Sequence, residues 1–330
     1  MRKARLGTLG IIVCLHACGG GGGSDEAPVA EPPAPTPVQL TLDAANYQGA
    51  VRNALEWSDS AFFFAKLGAD VADHLVSSSA ILPPLFRCTV SGAASITLTD
   101  RNRNGMLNAG DTLSVFMDHC ITDVIGVTGV IRIEVTSAEP FGDGRAYQLL
   151  VSIIDLSLTS NSAADLPLLD INLTASVDFS YTTDFDHYVL TFGEFRRTLA
   201  GQTQSVSNLV IDYLQRYDTL RYDYLLQGTL GSKGDFGEFR ISTPLSLTGT
   251  IGSYPSAGRL GLNGAANSTA RVSEEGAAAS NSAAVLVSVD TNGDGVADSE
   301  VPELDWTQLL PQATFSSLRD RSPPVLLPIH

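Results

Sequence analysis

Ile131-Arg132-Ile133-Glu134-Val135-Thr136 is the stretch that decides the fold. Its apolar residues alternate strictly with polar ones, the period of a strand with one face buried and one face in water. A helix of the same residues would scatter Ile131, Ile133 and Val135 around its circumference. The β-branched side chains also suit a pleated backbone.

Outward from this stretch the same period recurs. It runs through Tyr147 to Thr159, Asp170 to Tyr181, Tyr188 to Phe195, Leu209 to Tyr213 and Tyr222 to Leu230. It continues at Phe236 to Thr243, Leu245 to Thr250, Gly258 to Leu262 and Ala284 to Val289. Turn formers punctuate these runs at Gly142-Asp143-Gly144, Gly201, Gly231 and Tyr254-Pro255-Ser256. Many strands without intervening helices predict a mainly β body: an antiparallel multi-stranded meander, sandwich or barrel-like sheet. Phe192-Gly193-Glu194-Phe195-Arg196 returns as Phe236-Gly237-Glu238-Phe239-Arg240, an echo that a duplicated hairpin unit would explain.

Upstream the period lengthens. Tyr47, Val51, Ala54, Leu55, Phe62 and Ala65 recur at helical spacing behind Asp43, a helix-capping residue, and Leu67, Val71 and Leu75 continue the pattern. One or two helices are predicted between Asp43 and Val76, with Ser58 and Gly68 as candidate breaks. Trp57 and Phe62-Phe63-Phe64 read as plugs for a β core rather than the lining of a cofactor pocket.

The first residues carry an address. Arg2, Lys3 and Arg5 precede a short apolar run, Leu6 to Leu15. That run is shorter than the roughly 20 residues of a membrane-spanning helix and has the form of a secretory signal. Leu15-His16-Ala17-Cys18 resembles the bacterial lipobox, with His16 as an unusual middle residue. The resemblance implies cleavage before Cys18, lipidation of its thiol and anchoring to a membrane. Gly19, rather than Asp, follows the cysteine, which in Gram-negative lipoproteins implies the outer membrane. The glycine run 19–23 is a flexible tether, and Pro28, Pro32, Pro33, Pro35 and Pro37 make a stiffer spacer. The predicted organisation is signal 1–17, linker 18–40, helical segment 41–80, β domain 81–310 and tail 311–330.

Composition narrows the partners. Loss of the three signal cations takes the 20 basic residues to 17 against 36 acidic ones, a formal charge of 17 − 36 = −19. Nucleic acid and anionic lipid surfaces both want clustered Lys and Arg, so neither is an expected partner. With Cys14 in the signal and Cys18 lipidated, Cys88 and Cys120 remain. In an oxidising compartment two such cysteines read as one disulfide, and closing a loop of about 30 residues stabilises by roughly 3–4 kcal/mol. No His pair stands near them to complete a zinc site.

Two acidic loops carry the chemistry. Asp100-Arg101-Asn102-Arg103-Asn104-Gly105-Met106-Leu107-Asn108-Ala109-Gly110-Asp111 places side-chain oxygens at Asp100, Asn102, Asn104, Asn108 and Asp111. Calcium takes six to eight oxygens, which alternate residues of a tight loop supply, with Gly105 permitting the bend. The pattern resembles the calcium loops of EF-hands and dockerins, with Asp111 in place of their bidentate Glu. Its flanks, Ile96 and Leu98 before and Leu113, Val115 and Met117 after, predict a β-hairpin with Cys88 and Cys120 near its open end. The second loop, Asp290-Thr291-Asn292-Gly293-Asp294-Gly295-Val296-Ala297-Asp298-Ser299-Glu300, is similar to thrombospondin type 3 and dockerin repeats. There Asp290, Asn292, Asp294, Asp298 and Glu300 are the candidate ligands, with Glu303 as a substitute for the last.

The remaining catalytic signatures are missing from the sequence. His74, His119, His187 and His330 are scattered, and there is no nucleophile elbow, P-loop or dinucleotide fingerprint. The chain as a whole resembles proteobacterial lipoproteins with a lipobox, Gly-rich linker, short helix and β domain, a resemblance that implies no activity. The expectation is a non-enzymatic binding or structural protein of the envelope, with calcium as a staple. The alternatives are a carrier of apolar ligands, with Tyr213, Tyr217, Tyr222 and Tyr224 along a groove, or a polysaccharide hydrolase with structural calcium. A hydrolase would need two carboxylates about 5–9.5 Å apart in a pocket.

Overall fold

Asp43 opens the longest helix among the described residues, in a computed structural model that describes residues 38–77, 85–88, 90–104, 107–121, 125–160, 169–199, 202–232, 237–273 and 284–309. The Asp43 carboxylate accepts the backbone N–H groups of Ala45 and Asn46, and the Asn46 side chain accepts the N–H of Asp43 in return. This reciprocal cap satisfies donors that a helix start leaves orphaned. Helix α1 (Tyr47–Ser77) then runs for 31 residues without a break. Ser58 is absorbed because its hydroxyl donates to the Ala54 carbonyl one turn back, at 2.7 Å. Gly68 is absorbed because it is a contact point: a Cβ there would stand 2.7 Å from a methyl of Val151. Cys18, the signal, the tail and most of the linker lie outside the described residues.

The strands follow in chain order: β1 (Leu85–Arg87), β2 (Ser91–Thr99), β3 (Thr112–Ile121), β4 (Ile125–Phe141), β5 (Gly144–Ser160), β6 (Leu169–Tyr181) and β7 (Phe185–Leu199). Then come β8 (Gln202–Arg216), β9 (Arg221–Ser232), β10 (Phe239–Thr250), β11 (Pro255–Asn263), β12 (Thr269–Ser273), β13 (Ala284–Asp290) and β14 (Ser299–Asp305), with a single-turn helix α2 (Trp306–Leu309) after them. Each strand pairs with its chain neighbour, so one 14-stranded antiparallel sheet is a pure meander. The mainly β expectation holds, with one helix at its head.

Alternation sets the two faces. In β6, Leu173, Ala175 and Val177 are buried while Thr174, Ser176 and Asp178 are exposed. The buried face of the sheet packs on α1, which touches β4, β5, β6, β7 and β8. From Tyr47 to Asp73 only Gln48 and Arg52 of the helix are exposed. A helix covered on nearly all sides belongs to an interior, and aromatic rings lock it there. Trp57 meets Phe195 edge-on at 4.9 Å, and Phe62 meets Tyr188 and Tyr213 at 5.5 and 5.1 Å. Tyr213, Tyr222 and Tyr224 are buried core residues.

Two irregularities explain where the strands outrun their sequence pattern. At Gly129 the backbone adopts φ 137°, opposite Asp155 at φ 47°, and the β4–β5 register slips there. A Cβ on Gly129 would fall 2.6 Å from the Leu156 Cα, so the bulge requires glycine. Strand β10 runs unbroken through Pro244, which has no N–H for the ladder. The neighbouring Thr243 hydroxyl compensates, accepting the Leu226 N–H at 2.8 Å and donating to its carbonyl. The two Phe-Gly-Glu-Phe-Arg segments occupy unlike places: Gly193 lies at a register shift inside β7, whereas Gly237 lies against the backbone of residues 38–40 before β10. Phe236 of the second segment lies outside the described residues.

Candidate metal loops

The first loop joins β2 to β3 in the expected hairpin, with Ile96 opposite Val115 and Leu98 opposite Leu113. Cys88 and Cys120 form a disulfide across its open end, their Cα atoms 5.3 Å apart. The loop gathers around its last residue. Asp111 is fully buried, one carboxylate oxygen accepting the Arg101 N–H at 2.9 Å and the other the Asn108 N–H at 3.0 Å. Leu107 is buried in the core, and the loop is tied to β4 by the Gly110 N–H donating to the Val135 carbonyl at 2.7 Å. Asp100 accepts the Arg103 N–H, Asn102 accepts the Asn104 N–H, and the Asn102 amide donates to the Asn108 side chain at 2.8 Å. Gly105 and Met106 lie outside the described residues.

The second loop joins β13 to β14 and gathers around its first residue. Asp290 accepts the Gly293 N–H at 2.7 Å on one oxygen and the Gly295 N–H at 2.8 Å on the other. Asn292 accepts the Asp294 N–H, Asp294 accepts the Val296 N–H, and Asp298 reaches back to the Thr291 N–H, each at 2.8 Å. Gly293 and Gly295 supply left-handed turns at φ 77° and 85°. Desolvation pushes the Asp290 carboxyl upward. The N–H donors of Gly295, Gly293, Asn292 and Asp294 together outweigh it and hold the group below its ordinary value. Glu300 lies beyond the turn, on β14 opposite Ser288.

Oxygen chemistry separates the two loops. Both Asp290 oxygens accept N–H groups of their own turn, and Asp294, Asp298 and the Asn292 amide share that turn. That donor set suits calcium by type. In the first loop only Asp100 and Asp111 are carboxylates, and Asp111 fastens its loop as Asp290 fastens the second. Among the described residues, no three His, Cys, Asp or Glu side chains form a metal-binding group in either loop.

Elsewhere the fold assembles groups that sequence reading missed. Lys66 of α1 pairs with Asp70 at 2.5 Å. The hydroxyls of Tyr147 and Tyr181 donate to Asp73 at 2.7 and 3.0 Å, and that of Tyr217 donates to Asp186. Arg197 stacks over the Trp57 ring at 4.1 Å and donates to Gln204, while burial pulls its guanidinium down to about 10. His187 pairs with Asp212 at 2.8 Å, both of them partly exposed. Lys66–Asp70 is a local i,i+4 pair; the tyrosine–aspartate, Arg197–Trp57 and His187–Asp212 contacts join residues farther apart in the chain, so no local spacing announces them. His119, beside Cys120, is an exposed strand residue.

Compared with protein-family models, with curated proteins and with solved structures, the chain matches none.

Proposed function

We propose that the chain is a lipid-anchored protein of the outer membrane whose β domain is a calcium-stapled binding or structural module without catalysis. The observation that carries this reading is the burial of α1, which covers the face of β4–β8 that a carrier would keep for its ligand. Recognition is thereby left to the outer sheet face, the hairpin turns and the rims. The outward face is mixed: Thr174, Ser176 and Asp178 of β6 are polar, while Phe116 of β3 and Leu150 and Ile154 of β5 are exposed apolar side chains. Cys18 and the Gly- and Pro-rich linker hold the domain off the membrane surface, and the acidic balance turns it away from nucleic acid. Calcium belongs to the Asp290 turn, whose three carboxylates it would neutralise.

One paired experiment tests the reading. Cys18→Ala is expected to move the protein from the membrane fraction to the soluble one, and retention at the membrane would remove the lipid anchor. Thermal unfolding of the chain from Asp25 onward, in EGTA and then in about 10 mM calcium, addresses the staple. With a dissociation constant of order 0.1 mM, mass action stabilises by about 2.7 kcal/mol. Asp294→Asn combined with Asp298→Asn abolishes that gain while leaving Asp290 in place. An unchanged midpoint reduces the turn to a self-bonded hairpin.

A further inference from the structure

The first described residues lie against the turn on which the β13–β14 loop rests. Gln39 bridges Glu238 in parallel, the Leu40 N–H donating to the Glu238 carbonyl at 2.9 Å and the Glu238 N–H to the Val38 carbonyl at 2.8 Å. The Leu40 carbonyl accepts the Ala265 N–H at 2.7 Å, and the Leu42 N–H donates to the buried Ser268 hydroxyl at 2.9 Å. Leu42 is fully buried, whereas Val38, Gln39 and Thr41 are exposed. Residues 38–41 are thus a strap laid against Glu238 and the β11–β12 turn, and pinned in the core at Leu42.

The turn that receives the strap is strained. Ala266 and Asn267 are both left-handed, at φ 51° and 59°. Asparagine tolerates that region, but alanine keeps it only where its surroundings over-determine it. The strap is one of those surroundings, and the β13–β14 loop is another. Gly293 of the loop abuts the turn, where a Cβ would stand 2.7 Å from the Ala266 carbonyl and 2.7 Å from the Asn267 Cβ. The same glycine donates its N–H to Asp290 at 2.7 Å. Asp290 pairs across the ladder with Thr269, the residue after Ser268.

We propose that the turn Gly264–Ser268 is a latch: the ordered β13–β14 loop, through Gly293, holds its strained backbone, and that backbone holds the strap. When the loop loosens, Ala266 loses a wall and the turn relaxes toward ordinary dihedrals. The Ala265 N–H and the Ser268 hydroxyl then leave their strap partners, while the Leu42 side chain stays in the core. Residues 38–41 join the chain that leads back to Cys18, extending its reach by up to about 14 Å. On the calcium reading above, on which this input rests, an ion at the Asp290 turn closes the latch and shortens the tether. Loss of the ion lengthens it.

Hydrogen exchange at the Leu40 amide, in the full chain, reads the latch. Gly293 and Gly295 form an internal control: both are left-handed, at φ 77° and 85°, but a Cβ on Gly295 meets nothing within 4 Å. Gly295→Ala therefore strains the loop alone, whereas Gly293→Ala also drives into the turn. In EGTA, Gly293→Ala is expected to speed Leu40 exchange about tenfold, and Gly295→Ala by less than about threefold. Equal effects, or none, overturn the latch. In about 10 mM calcium, Leu40 exchange in the wild type is expected to slow by about fivefold or more, with the thermal midpoint raised. A raised midpoint with unchanged Leu40 exchange overturns the latch and leaves the calcium loop standing. An unmoved midpoint removes calcium as the input, and the glycine pair then decides the latch alone. Should Gly293→Ala fail to fold, Ala266→Gly decides. Without strain the turn holds unaided, so Leu40 exchange in EGTA is expected to fall, and unchanged or faster exchange overturns the proposal.

Discussion

The two acidic hairpin loops are alike in letters and opposite in wiring. In the β2–β3 loop the carboxylate that organises the turn is its last, Asp111, buried and bonded to N–H groups on both sides of the loop. In the β13–β14 loop it is the first, Asp290, bonded forward into its own turn. The difference comes from what each loop rests on. Leu107 and the Gly110–Val135 bond draw the first loop down onto β4 and carry Asp111 inward. The second loop rests on the single turn Ala265–Asn267, where a Cβ on Gly293 would stand 2.7 Å from the Ala266 carbonyl, and its remaining oxygens stay on the turn. An Asp/Asn/Gly pattern thus fixes where a chain turns, while packing decides which carboxylate organises the turn and how deeply it is buried.

The largest effect should come from the disulfide, which braces only the first of these hairpins. Cys88→Ser with Cys120→Ser is expected to cost roughly 3–4 kcal/mol in urea unfolding, for a loop closed across 32 residues. Hydrogen exchange should rise in β2 and β3 and leave β13 and β14 unchanged; equal loosening of both hairpins would break the comparison.

Asp111→Ala comes next, at about 2–3 kcal/mol, because two backbone donors lose their buried acceptor. Asp111→Asn should fall between, since one amide oxygen replaces two carboxylate oxygens. Urea midpoints measured with and without calcium decide the role: a fastener costs the same in both. A cost confined to calcium buffer would make Asp111 a ligand after all.

These contrasts also mark what the sequence could convey. Period-two alternation located the body of the sheet, and the hairpin around residues 100–111 followed from Ile96, Leu98, Leu113 and Val115. The Cys88–Cys120 pair followed from elimination on the expectation of export. Strand ends did not, because bulges invert the alternation: β8 spans Gln202–Arg216, yet its pattern reads cleanly only from Leu209, past the left-handed Asn208. Gly68 and Ser58 read as helix breaks because propensity knows nothing of the sheet surface or of the Ala54 carbonyl that accommodates them. The bonds from Tyr147 and Tyr181 to Asp73, and from Tyr217 to Asp186, were invisible because their members meet only after the chain is packed.

The smallest effect, and the most telling for the comparison, belongs to Asp290→Asn. The amide retains one acceptor oxygen, so one of the Gly293 and Gly295 N–H bonds is lost together with the charge. The backbone donors that hold the Asp290 carboxyl low contribute stability above the unfolded value of about 3.9, which is lost as pH falls through the folded value. In EGTA, the variant should therefore melt below the wild type at neutral pH, with the gap closing at acidic pH. A gap that persists unchanged at low pH would mean that shape, not charge, holds this turn. It would then be wired as neutrally as any polar hairpin, with nothing left to set it apart as the proposed calcium loop.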